Sequence, residues 1–186
     1  MAARSAIAAA LVWAAPVAAQ DLGRAVELPA HRALMAVREG ADLAPFVTDG
    51  CSGGLSHGWE LVADAFPGFA AAHKEAPPWE GCCVAHDRAY HRAGDADTAE
   101  ASWQARLDAD DALSACVSDT AGGRADALAA LYDMTPAQVR GAYATIAGAM
   151  YLAVRFGGGP CSGLPWRWGY GYPSCTLLDA VAPGGD

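Results

Sequence analysis

The chain is short of positive charge: 12 Lys and Arg stand against 21 Asp and Glu, a formal net charge of -9. That balance argues against a nucleic-acid partner, whose phosphates are bound by clustered cations, and against electrostatic capture by anionic lipid. A bilayer-spanning helix needs about twenty consecutive apolar residues. The apolar and small segment of the last long helix, Gly141 to Val154, falls short and reads as a buried core helix, so no transmembrane anchor is expected. No internal repeat or long linker divides the chain, and nothing alternates as a half-buried strand does. No Cys-x-x-Cys pair or Cys/His cluster at ligand spacing suggests a zinc site.

What is present begins with an export signal. Residues 1–20 carry Arg4, an apolar run from Ala6 to Trp13, and small residues before an expected cut after Ala19 or Gln20. That is the layout of a secretory signal peptide. Residues 21–186 then form a single domain of roughly 165 residues, enough for one real core. A secreted or periplasmic chain meets an oxidising compartment, so Cys51, Cys82, Cys83, Cys116, Cys161 and Cys175 are expected to pair. Three bridges allow fifteen connectivities.

The fold class reads as mainly α. A helix is compatible with Pro29 to Leu43, and Thr48 to Gly54 has the composition of a loop that exposes its backbone. Glu60 to Ala72 suits a short helix broken at Pro67-Gly68. A further helix is expected from about Cys82 to Arg92, closed by Gly94, and another from an N-cap within Asp95–Thr98 to about Ser118. Gly122-Gly123 marks a turn, after which a Thr135 cap and first-turn Pro136 open a long helix that stops near Phe156. The segment Pro165 to Cys175, PWRWGYGYPSC, is an aromatic loop.

The informative run is Gly81-Cys82-Cys83-Val84-Ala85-His86-Asp87-Arg88-Ala89-Tyr90. On a helix Cys82, His86 and Tyr90 share one stripe, and Cys83 and Asp87 share the next. A base and a carboxylate can thus face one cleft. The pattern C-C-x-x-H-D-x-x-Y resembles the active-site helix of secreted phospholipases A2 at every defined position. Upstream, Asp49-Gly50-Cys51-Ser52-Gly53-Gly54 resembles that family's calcium loop, closest to its shorter prokaryotic form.

The resemblance implies calcium-dependent hydrolysis of the sn-2 ester of a glycerophospholipid at a membrane surface. His86 would be the general base, Asp87 the calcium carboxylate, and backbone carbonyls around Asp49, Cys51 and Gly53 further ligands. It also implies bridges Cys82–Cys116 and Cys51–Cys83, leaving Cys161 with Cys175, which has no counterpart in the family. The fold would then be a disulfide-linked antiparallel helix pair of phospholipase A2 type, with additional helices and the aromatic C-terminal loop.

The family carries a carboxylate on the second helix that orients the histidine, and Asp108, Asp110 and Asp111 are the candidates. If Cys82 bridges Cys116, His86 rises about 6 Å above the bond, Tyr90 about 12 Å and Asp110 about 9 Å, between the two. At 100° per residue His86 is turned about +40° and Asp110 about -120°, whereas Asp108 and Asp111 come near +80° and +140°. Opposite rotations on antiparallel neighbours meet on one side of the pair, which selects Asp110, with Tyr90 hydrogen-bonding it.

Plainer readings stand beside this one. An isolated His-Asp pair on a helix is usually an ordinary surface pair. His57, His73 and His91 read as solvated, and Asp108 and Asp111 as helix-surface charges. Trp166, Trp168, Tyr170 and Tyr172 suit either a lipid interface or a cap on the core. The alternative function is a non-catalytic module of the same fold that binds lipid or protein in the cell envelope.

Overall fold

The computed structural model describes residues 22–51, 77–176 and 178–179. The expected signal segment, the expected helix Glu60–Ala72, Ser52 to Gly54 of the loop, His57 and His73 lie outside them.

Helix α1 occupies residues 22–38. It begins well before Pro29 and stops short of Leu43, so the expected boundaries are displaced. Pro29 removes one backbone donor from the helix interior. Leu28, His31 and Leu34 nevertheless share one face and are all buried, which holds the segment helical through the proline.

Helix α2, Glu80–His91, follows Pro77-Pro78 and buries Cys82, Cys83, His86, Tyr90 and His91 along one side. His91 is therefore not solvated. Residue 171 lies so close that a Cβ there would stand 2.5 Å from the His91 Nε2, a position only glycine tolerates. A left-handed turn, Ala93–Asp95, with φ of 51°, 66° and 54°, reverses the chain into α3, Ala99–Thr120. The Thr98 hydroxyl caps α3 by accepting from the Ala101 amide at 3.1 Å.

Helix α4, Ala125–Tyr132, is not among the helices expected from the sequence. Its eight residues are too few to be stable alone, and it forms by burying Ala125, Leu128 and Ala129. Helix α5, Pro136–Gly157, opens on a capping box in which Thr135 and Gln138 satisfy each other's amides. It packs along α3, while α2 packs on the other part of α3 and α4 against α5.

The class is mainly helical, with no strand among the described residues. Three disulfides join Cys51 to Cys83, Cys82 to Cys116, and Cys161 to Cys175. No helix among the described residues is long and apolar enough to cross a membrane. The aromatic C-terminal segment makes turns, its amides of Gly169 and Gly171 donating to Tyr90 O at 2.7 Å and His91 O at 3.1 Å. It thereby satisfies carbonyls left open at the end of α2. Trp168 is fully buried among Leu34, Tyr90 and Ala93, so this part of the loop caps the core.

Candidate active site

The Cys82–Cys116 bridge sets α2 and α3 in antiparallel register, and the pairings above it succeed one another in order. His86 Nε2 stands 2.8 Å from Asp110 Oδ1, and the Tyr90 hydroxyl donates to the same oxygen at 2.7 Å. One step further along, Arg106 Nε donates to the Tyr90 hydroxyl at 3.3 Å. Asp110 is wholly buried, whereas Asp108 and Asp111 are exposed on the far side of α3. The structure thus brings together the three residues expected to form the catalytic constellation.

An ionised carboxylate only accepts, so the proton of neutral His86 belongs on Nε2 and the lone pair on Nδ1. Burial pulls the His86 pKa down. The hydrogen bond and charge of Asp110, joined by the charge of Asp87, outweigh that and raise it above its ordinary value. Nδ1 is 4.0 Å from Asp87 Oδ1, too far for a hydrogen bond, so Asp87 acts there through its charge. Burial keeps the Tyr90 hydroxyl protonated, and a proton donor is what Asp110 requires.

His86 and Asp87 open onto a cleft with about 80 Å³ of space for water. Since one water needs roughly 10–15 Å³ measured this way, the cleft holds several. Its polar lining residues are Asp49, His86 and Asp87, and its apolar ones include Leu113, Met150, Ala153, Val154 and Trp166. Leu113 and Met150 could not be picked out as site residues in the sequence because they look like ordinary core positions, whereas Trp166 belongs to the aromatic set that was open to either a lipid interface or a core cap.

The Cys51–Cys83 bridge fastens the loop to α2 one turn before Asp87. The Thr48 hydroxyl donates to Asp87 Oδ2 at 2.6 Å and accepts from the Gly50 amide at 3.0 Å. Gly50 takes φ 70°, the left-handed conformation that turns the chain over the carboxylate. From the other side the Tyr170 hydroxyl donates to Val47 O at 2.7 Å. Among the described residues no group of three or more His, Cys, Asp or Glu forms a metal cluster. The expected calcium site depends instead on one carboxylate and loop carbonyls. Asp49, Cys51 and Asp87 line the same cleft, and carboxylate and carbonyl oxygens are the hard donors that calcium takes; Gly53 lies outside the described residues.

Behind Asp110 lies a part of the site not expected from the sequence. Arg155 Nη1 donates to Asp110 Oδ2 at 3.0 Å, and both Arg155 and Arg106 pair with Glu27. A signal existed: Arg106 and Asp110 fall on the stripe of α3 that carries Trp103, Leu113 and Val117, where charge is out of place unless paired. No family model matches the chain, and neither a curated protein nor a solved structure does, so the site's own residues and geometry are the ground for assigning a function.

Proposed function

We propose that this protein is a calcium-dependent ester hydrolase of phospholipase A2 type, acting on the sn-2 ester of glycerophospholipids. The observation that carries the reading is the His86–Asp110–Tyr90 constellation, in which His86 also lines a water-accessible cleft of mixed polar and apolar side chains. Such a cleft suits an amphiphile, its acyl chain against Met150, Val154 and Trp166 and its polar part toward Asp49 and Asp87.

In the reaction His86 Nδ1 takes a proton from a cleft water as its oxygen attacks the ester carbonyl carbon. Asp110 holds the ring and offsets the imidazolium charge. When the bond to the glycerol oxygen breaks, the imidazolium returns its proton to that oxygen, releasing a fatty acid and a lysophospholipid. Asp87 and loop oxygens near Asp49 and Cys51 would hold calcium, which supplies positive charge for the substrate phosphate and the developing oxyanion.

The test is fatty-acid release from phosphatidylcholine vesicles by the processed protein. Release is expected at millimolar-scale calcium and not with a chelator. His86→Gln should lower it by about 10²–10⁴-fold with little change in melting temperature. Equal turnover with chelator would remove the calcium role. No turnover across a panel of phospholipid headgroups would refute hydrolysis and favour a binding module.

A further inference from the structure

Asp110 has two oxygens, and His86 and Tyr90 share only one of them. The carboxylate's rotation about its Cβ–Cγ bond is therefore held from Oδ2, where Arg155 Nη1 donates at 3.0 Å. The second arm of the same guanidinium reaches Glu27 on α1, so one planar fork spans two carboxylates.

Glu27 is held in turn by Arg106, a side chain with no exposure, whose Nε donates to the Tyr90 hydroxyl at 3.3 Å and whose Nη2 donates to Val154 O at 2.9 Å and Arg155 O at 2.8 Å. Those are carbonyls of the last turn of α5, where Val154 O also accepts from the Gly158 amide at 2.8 Å. Arg106 thus fixes the backbone that carries Arg155. Two cations and two anions from three helices balance one another, so the proton that reaches His86 in turnover meets a carboxylate that cannot swing away.

We propose that Arg155 and Glu27 are positioning residues for the His86–Asp110 pair: the Arg155 fork fixes the free oxygen of Asp110, and Glu27 fixes the fork, so that α1 sets the orientation of the base. The inference rests on the proposed hydrolysis for its kinetic consequence, and on geometry alone for its effect on the imidazole.

The experiment compares the processed wild-type chain with Arg155→Met, Arg155→Lys and Glu27→Gln on phosphatidylcholine vesicles with calcium. Displacing a catalytic group by about an ångström can cost on the order of 100-fold in rate. Arg155→Met should lower kcat by about 10- to 100-fold, with KM and the calcium concentration for half-maximal rate within about twofold of wild type. Arg155→Lys should recover part of that loss, since one ammonium can hold Asp110 but not both acids. Glu27→Gln should lower kcat by about three- to tenfold.

A second readout needs no activity. With ring-labelled histidine in chelator at fixed pH, nitrogen NMR should show wild-type His86 as one tautomer protonated at Nε2, and averaged ring signals in the folded variants. If wild type releases no fatty acid, the hydrolytic reading fails and the spectra alone decide this inference. Unchanged kcat in the folded variants overturns it, as do His86 signals identical to wild type. Should Arg155→Met fail to fold, Arg155→Lys and Glu27→Gln carry the same criteria.

Discussion

Two buried histidines stand on either side of the same ring of charges and behave in opposite ways. His86 on α2 meets the ring through Asp110, and its pKa rises despite burial because carboxylates surround it. His31 on α1 meets the ring through its cations. Burial, and then the charges of Arg106 and Arg155, lower it to about 3. Its Nδ1 lies 2.9 Å from the Ser102 hydroxyl, which also accepts from the Trp168 indole at 2.9 Å. The other ring nitrogen, Nε2, is buried and makes no hydrogen bond among the described residues. Glu27 stands 4.0 Å from that nitrogen but is already taken by the two arginines. Burial and residue type are the same in both places. The sign of the nearest unspent charge makes one imidazole a poised base and the other a neutral strut, and only His86 opens onto the cleft.

If neighbouring charge is what separates the two, the hardest test is Asp110→Asn. The change removes the carboxylate that raises His86, so its pKa should fall and fatty-acid release should drop by about 10²–10⁴-fold. It also leaves Arg155 without its buried acid, which should cost on the order of 3–5 kcal/mol in urea unfolding. Full activity in this variant would break the comparison outright.

His31 should reveal itself through acid sensitivity. Its pKa is about 3 in the fold against 6.5 in the unfolded chain, so between those values the unfolded state binds the extra proton. Stability should therefore fall as pH drops below about 6.5, by up to about 1.4 kcal/mol per pH unit, until about pH 3. His86 has the opposite sign: its contribution is present below about 6.5 and is lost as pH rises through its raised folded value. Urea titrations from pH 7 to 4 should show a flatter acid limb for His31→Gln. An identical limb would mean that this histidine is protonated in the fold.

The smallest effect is expected from Tyr90→Phe. It deletes one of the two donors to Asp110 Oδ1 and the acceptor of Arg106 Nε, while Arg155 and His86 still hold the acid. Because a buried Arg106 donor is left unsatisfied, a loss of about 1–3 kcal/mol is expected, with a rate within about tenfold of wild type. A fall as large as that of Asp110→Asn would make the tyrosine a principal anchor of the acid.

Much of this site was legible because it obeys helical periodicity. The stripe of Cys82, His86 and Tyr90 is read from spacing; given the bridge to Cys116 that the resemblance implies, one aspartate of three has the right height and rotation, and Asp110 occupies that place. Thr98, Thr135 and Pro136 likewise mark their helix starts by local hydrogen bonding that needs no distant partner. The misses share the reverse property. Residues 22–28, helix α4 and the burial of His91 depend on surfaces supplied by remote segments. The aromatic loop could not be assigned from its composition, since Trp168 fills the core while Trp166 lines the cleft.

The linear order of residues by itself determined the spacing of base, acid and cysteines along α2 and α3, because a helix converts sequence separation into height and angle. Tertiary structure decided the electrical setting of that machinery. Glu27, Arg106 and Arg155 are scattered over three helices, and only packing brings them to Asp110. Charge acts through space with a strength set by burial and distance, and neither quantity is written in the order of the chain.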